Sequence, residues 1–281
     1  MILFQDNYRD AAFDHQAYQI AIPSYRRPLG LVSKTLQTLL RNGIGMERVT
    51  IFVANPSEHN EYSEAIRATV STAGQDDLAL CNIVIAEPGM RAVRNFIRGY
   101  YAEGVALLML DDDIEDIRQR VDDQTAEPFP AGTLDLFIEQ AFLVAKTEGV
   151  HLWGIYPVKN PFFQSDKLRR GLSYINGAMW GLWNTHDRRT LTALDDKEDF
   201  ERSVRFYLLD GSVHRYEYVS TVTRYYDNPG GMSEGRQANP GRIAASARRL
   251  VRMFPNLVHY DSSKSSGKAE VKLKDTRPSK S

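Results

Sequence analysis

Six apolar side chains in a row, Val105 to Leu110, run directly into three carboxylates, Asp111, Asp112 and Asp113. An apolar run without alternation suits a central parallel strand covered on both faces, since each side chain is then buried whichever way it points. Open α/β sheets bind ligands just beyond the carboxyl ends of such strands. Side chains alternate along an extended chain, so this reading puts Asp111 and Asp113 on one side and Asp112 on the other. Two carboxylates on one side stay ionised together only with a cation or hydrogen-bond donors between them. A hard divalent ion carrying phosphate oxygens meets that need. A solvated acidic turn is the alternative reading of the same three residues.

Around this segment, strand and helix patterns alternate. Tyr18 to Pro23 reads as a strand, and Leu31, Leu36, Leu39 and Leu40 recur at helical spacing until Gly43. Arg48 to Ala54 is a second strand, Glu61 to Val70 a helix, Leu80 to Ala86 a third strand, and Met90 to Ala102 a helix ahead of the acidic strand. Such a βαβαβαβ progression builds a mainly parallel sheet with helices on both faces. A helix from Thr133 to Thr147 and a strand at Leu152 to Pro157 follow. From Gly171 the texture becomes aromatic and small, and Gly177 and Gly181 would let another group approach the backbone closely. A helix from Glu198 to Leu209, two strands within Tyr216 to Tyr226 and an irregular loop from Asn228 to Ser233 complete this half.

A chain of 281 residues with 42% hydrophobic content can bury a large α/β core. No stretch approaches the ~20 apolar residues of a membrane span, and the start MILFQDNYRD lacks a secretory pattern, so a cytoplasmic protein is expected. One cysteine, Cys81, excludes an internal disulfide and a multi-thiolate metal site; it reads as a buried small hydrophobe. Net charge is −1, yet Arg242, Arg248, Arg249, Arg252, Lys264, Lys268, Lys272, Lys274, Arg277 and Lys280 face only Asp261, Glu270 and Asp275 at the carboxyl end. That asymmetry suits either a polyanionic partner or a solvated charged face.

Four segments together resemble the GT-A fold of nucleotide-sugar glycosyltransferases: Ile20-Ala21-Ile22-Pro23-Ser24-Tyr25-Arg26-Arg27-Pro28, Glu87-Pro88-Gly89-Met90-Arg91-Ala92-Val93-Arg94-Asn95, Asp111-Asp112-Asp113 and Glu198-Asp199. The combination is most similar to the TET-associated glycosyltransferases, relatives of the base J glucosyltransferase, which are encoded largely by bacteriophages and modify hydroxymethylated pyrimidines in DNA. The resemblance implies a single domain over 1–260, with a nucleotide-sugar-binding half at 18–118, a mixed acceptor-binding half at 150–260, and a basic tail at 261–281. It also implies a UDP-sugar donor, UDP-glucose by expectation, a divalent metal (Mn2+ or Mg2+) and a hexosyl transfer expected to invert configuration, with a retaining outcome left open.

Within that frame Asp113 is the expected metal ligand, with Asp111 toward the ribose or a metal-bound water and Asp112 also in the nucleotide-sugar site. The resemblance adds His259 as a second metal ligand, although a lone histidine also serves structural roles. It assigns Pro23, Ser24, Tyr25 and Arg26 to the nucleoside, and Gly89 to the turn opening the next helix. Arg91, Arg94 and Asn95, at i, i+3 and i+4, share a helix face suited to phosphates or sugar hydroxyls, or to solvent. Inverting transfer needs a general base, for which Asp199 is the first expectation and Glu198 the second; both also suit a helix amino end electrostatically.

Tyr174, Trp180 and Trp183 offer flat rings for stacking on a sugar or an extruded base, or else belong to the core. Three functions stay open at this stage. They are transfer to modified DNA, transfer to a polysaccharide, lipid or protein, and noncatalytic binding of nucleotide sugar or DNA.

Overall fold

Residues 18–223, 241–261 and 270–277 are described by the computed structural model. The expected loop from Asn228 to Ser233, and Lys264, Lys268 and Lys280 of the basic end, lie outside them. The continuous apolar segments form wholly buried strands, β2 (Val49–Val53), β4 (Ala106–Leu110), β7 (Leu152–Ile155) and β9 (Met179–Trp183). With β1 (Gln19–Pro23), β3 (Asn82–Ile85), β8 (Leu168–Arg169) and β10 (His214–Tyr216) they make an eight-stranded sheet in the order β3-β2-β1-β4-β9-β7-β10-β8. β3, β2, β1 and β4 run parallel, and β10 is parallel to β7. β9 runs antiparallel between β4 and β7, so Met179 begins opposite Leu110, the last residue of β4. That reversal brings the segment before β9 to the edge where the acidic triplet emerges.

Helices cover both faces. On one lie the short α1 (Pro28–Leu31) and α2 (Gln37–Arg41), α3 (Pro56–Ala73) and α5 (Thr133–Thr147), burying Leu31, Leu39, Tyr62 and Phe142 in one cluster. On the other, α4 (Met90–Tyr100) and α6 (Glu198–Asp210) bury Val93, Ile97 and Phe206 against Leu107, Met109 and Trp180. The leucine pattern expected to form one helix is divided, because a π turn over Val32–Leu36 joins α1 to α2. The third strand starts later than expected, since Asp76–Leu80 closes a 3-10 turn instead. Cys81 packs half-buried against the first cluster, and burial pushes its thiol up to about 12, so it is a packing group rather than a nucleophile.

Two small sheets flank the large one. β5 (Asp116–Arg120) and β6 (Ala126–Pro128) form a hairpin extended by β11 (Val219–Val222). At the carboxyl end α7 (Gly241–Met253) precedes β12 (Val258–Tyr260), which pairs with β13 (Val271–Leu273). β13 falls inside the segment expected to be a tail, because Val271 buries itself with Leu250, Leu257 and Val204 in a third cluster. The expected boundary at 260 therefore cuts through a packed unit.

Gly181 explains itself by packing. A Cβ there would lie 2.1 Å from the Trp153 indole, which is fully buried and cannot withdraw. Gly181→Ala is expected to destabilise the fold by about 3 kcal/mol. Urea unfolding beside the wild type measures it, and an unchanged midpoint would contradict the packing.

Candidate active site

The acidic triplet is fixed by threonines from the π turn and α2. Thr35 Oγ1 donates to the Asp111 carbonyl (2.9 Å) and accepts from the Ile114 amide (2.9 Å), while Thr38 Oγ1 donates to the Ile114 carbonyl (3.0 Å). π turns often occur at functional sites, and this one places Thr35 under the acidic loop. The expected alternation does not hold. Asp111 Oδ1 accepts from Arg94 Nη2 at 2.9 Å, whereas Asp112 and Asp113 share Arg27, with Nη1 at 3.2 and 3.5 Å. Alternation requires an extended chain, and β4 ends at Leu110 with Asp112 and Asp113 in a turn.

The loop after β1 meets the same carboxylates. Arg27 N–H donates to Tyr62 Oη (3.0 Å), the Tyr62 hydroxyl lies 2.5 Å from Ser24 Oγ, and Ser24 donates to Asp112 Oδ2 (2.5 Å). Glu58, buried at the start of α3, accepts from the Arg26 amide (3.0 Å) and the Ala54 amide (2.8 Å). Arg26 is thereby held at a φ of 55°, a left-handed conformation that costs a non-glycine residue about 1 kcal/mol. Tyr25 stands at the surface with the Arg26 guanidinium over its ring. Glu58 and Tyr62 thus join the site in addition to the residues the sequence motifs mark. The signal was present in Asn55-Pro56-Ser57-Glu58, an Asx cap followed three residues later by glutamate, which marks where α3 begins and so where Glu58 and Tyr62 project.

Gly177 is the point where the two halves meet. A Cβ there would be 3.9 Å from each of Arg94 Nη2, Asp111 Oδ2 and Glu198 Oε1. Glu198 is buried and held by Arg202 Nη1 at 2.7 Å, with Arg94 Nε 3.9 Å away. Arg202 also donates to the carbonyls of Ile175 (3.1 Å) and Asn176 (3.0 Å), tying the start of α6 to the segment before β9. Asp199 is placed differently. It accepts a 2.5 Å hydrogen bond from Tyr174 Oη, and Tyr174 stacks on Phe200 with ring centroids 4.2 Å apart. Burial, then the neighbouring Glu198 charge, raise the Asp199 carboxyl above its ordinary range, against the stabilising Tyr174 hydrogen bond. Of the two candidates, Glu198 is engaged by the buried guanidinium of Arg202, whereas Asp199 takes its side-chain hydrogen bond from a neutral hydroxyl.

Burial raises Asp111 to about 7, opposed chiefly by the Arg94 charge. The folded state therefore binds this proton more tightly than the unfolded chain, whose value is 3.8. The resulting stabilisation is complete below about pH 4 and is lost as pH rises through about 7. Asp111→Asn, neutral throughout, is expected to be more stable than the wild type at pH 8 by on the order of 1 kcal/mol, discounted for a partly exposed side chain, and equal to it near pH 4. Urea titrations at both values check this, and an equal difference at the two would contradict it.

Several expected site residues are placed elsewhere. Asn95 turns from Arg94 to pin a loop, its Nδ2 donating to the Thr192 carbonyl (3.0 Å) and its Oδ1 accepting from the Thr192 amide (3.2 Å). Arg91 is exposed, and its amide at the start of α4 donates to Asp195 Oδ1 (3.2 Å), so a side chain of this chain already caps that helix end beside Gly89. Arg91, Arg94 and Asn95 thus do not act on one ligand face. Trp180 and Trp183 are core residues, not open platforms, because β9 is an interior strand. Trp180 lies under the guanidinium of Arg202, 3.9 Å from its ring centre, and Trp183 Nε1 donates to the Phe142 carbonyl (2.9 Å). His259 sits on β12 with Nε2 3.0 Å from the Lys274 carbonyl, where the C-terminal hairpin employs it.

The donor set fits a divalent cation only in part. The acidic loop offers hard oxygens and burial raises both Asp111 and Asp112, as expected of carboxylates lacking full compensation. Among the described residues, however, no three histidine, cysteine, aspartate or glutamate side chains gather closely enough to hold a metal. A metal here would take one or two protein oxygens and complete its shell from a bound substrate and water.

No family model and no curated protein matches this sequence. Among solved structures the chain is similar to S. aureus TarS residues 1–349, at a TM-score of 0.51 and 12% identity. It is similar also to the same protein in complex with UDP, at 0.50 and 13%. Each match covers 85% of this chain and 65% of the other, so the chain spans about two thirds of the length of those structures. The likeness shows the fold, a mixed α/β architecture of the GT-A type with a large, mainly parallel sheet. No helix among the described residues is long and apolar enough to cross a membrane.

Proposed function

We propose that the chain is a metal-dependent, inverting glycosyltransferase that moves a sugar from a nucleoside diphosphate to an acceptor hydroxyl. The observation that carries this reading is the convergence of Asp111, Arg94 and Glu198 around Gly177, with Arg27 joining Asp112 and Asp113 beside them. The UDP complex of the TarS neighbour supports a UDP-sugar donor. Asp113 would hold the divalent ion, with Asp111 toward the ribose or a metal-bound water, and the ion when bound would supply positive charge to the departing diphosphate. The loop from Pro23 to Arg26 would receive the nucleoside, with Tyr25 as the exposed ring. Asp199 would take the acceptor proton, held in register by Tyr174.

For the acceptor, the reading is the hydroxymethyl group of a modified pyrimidine in DNA, with glucose as the sugar. Exposed Arg248, Arg249 and Arg252 on α7 support it, because they present a basic outer face beside the packed Leu250. The test is nucleoside mass analysis of DNA containing 5-hydroxymethyluracil or 5-hydroxymethylcytosine after incubation with Mn2+ and a panel of nucleotide sugars. A hexose on one base is expected. Donor turnover on a polysaccharide, lipid or protein instead, with DNA binding that no salt titration distinguishes from the Arg248, Arg249, Arg252→Ala variant, would replace the DNA acceptor.

A further inference from the structure

The loop after β1 aims a permanent cation at the carboxylates that the proposed reaction needs. Arg27 Nη1 lies 3.2 Å from Asp112 Oδ1 and 3.5 Å from Asp113 Oδ2, with little of either partner's side chain exposed. The backbone under Arg27 is held. Its amide donates to the buried Tyr62 hydroxyl, and the preceding residue is fixed in a left-handed turn by Glu58. The guanidinium is the part of the residue that meets the carboxylates. A guanidinium keeps its charge at every working pH and binds carboxylate and phosphate oxygens with the same planar fork.

A divalent ion on Asp113 and a guanidinium on the same carboxyl group repel each other at close range, so the two compete for it. We propose that Arg27 is a built-in counter-cation that keeps free metal off Asp113, and that a nucleoside diphosphate relieves the competition by offering Arg27 its own oxygens. This rests on the reading of Asp113 as a metal ligand. Metal alone then binds weakly, metal with diphosphate binds tightly, and the donor rather than the free ion fills the site first. The cluster fits such coupling, since no three ligand side chains stand ready to hold a metal unaided among the described residues. Arg27 is a positioning residue in this scheme, acting through Asp113 before the donor arrives.

The experiment is Mn2+ binding to the full chain, read from the spin-resonance signal of the free ion with and without UDP, for wild type, Arg27→Gln and Arg27→Lys. Wild type is expected to bind Mn2+ alone weakly and to gain roughly tenfold or more from UDP. Arg27→Gln is expected to bind Mn2+ alone at least about tenfold more tightly than wild type and to gain less from UDP, because the competing charge is gone. Arg27→Lys, which keeps that charge, should stay near wild type. A residue that only held the loop together would weaken metal binding when replaced, the opposite sign. Arg27→Gln binding Mn2+ alone no better than wild type, while both bind it with UDP, would overturn the competition and leave Asp113 as ligand. No Mn2+ binding by any of the three proteins, with or without UDP, would overturn the metal reading and the inference with it.

Discussion

Asp199→Asn is expected to lower kcat by ~100-fold to 10,000-fold while the dissociation constant for the nucleotide sugar changes by less than about threefold. A general base acts on the acceptor in the transition state and scarcely touches the donor, so its loss falls on turnover. Glu198→Gln is expected to behave differently, because Glu198 neutralises buried Arg202 and lies near Arg94. Its neutralisation leaves the buried Arg202 guanidinium without its carboxylate and should show in unfolding as well as in rate. Tyr174→Phe supplies the pH test. Tyr174 stabilises the ionised form of Asp199, so its loss raises the Asp199 carboxyl further. Activity requires the deprotonated base, and the acid limb of the kcat profile should therefore move to higher pH in Tyr174→Phe. Steady-state kinetics across pH with donor affinity measured separately checks all three variants. Full kcat in Asp199→Asn would place the base elsewhere.

What was legible in the sequence follows from what each pattern can encode. The run from Val105 to Leu110 predicts a strand buried on both faces, and β4 is one, because continuous apolarity reports burial directly. The same logic applied to Met179–Trp183 would have placed Trp180 and Trp183 in the core; that segment is just as continuous and lies beside β4 in the sheet. Of the two readings open to these aromatics, stacking platform or core, that continuity favours the core, where Trp180 and Trp183 lie. Helical spacing gave Arg91, Arg94 and Asn95 a common side but says nothing about the loop at Thr192 that packs there and takes Asn95. The hairpin of β5 and β6 has almost no local signal, since Asp116–Arg120 reads as charged and forms through pairing with β11, a hundred residues away in sequence. Long-range pairing of that kind is written in two distant segments at once, and neither alone reveals it. The acidic triplet itself was legible as a site, whereas which carboxylate faces which arginine depended on the turn that Thr35 enforces.

Asp113→Asn is expected to lower the transfer rate at least ~100-fold, equivalent to on the order of 3 kcal/mol of barrier, and to weaken UDP-dependent Mn2+ binding with the fold intact. The carboxylate is presented at the end of a wholly buried strand by a loop that two threonines fix, so the substitution removes charge without disturbing the scaffold. Asn keeps the shape and one oxygen but contributes no net charge to hold a divalent ion against the departing diphosphate. Chelation of the wild type should reproduce the loss, and restored Mn2+ should reverse it in the wild type alone. The prediction is separable from that for Asp199, because metal loss weakens donor binding together with turnover whereas loss of the base spares the donor. Transfer rates, UDP affinity and elemental analysis of the chelated protein decide it. Undiminished transfer by protein shown to be metal-free would remove the metal from the mechanism, and would leave Arg27 and Arg94 as the positive charges beside the acidic loop to meet the leaving group.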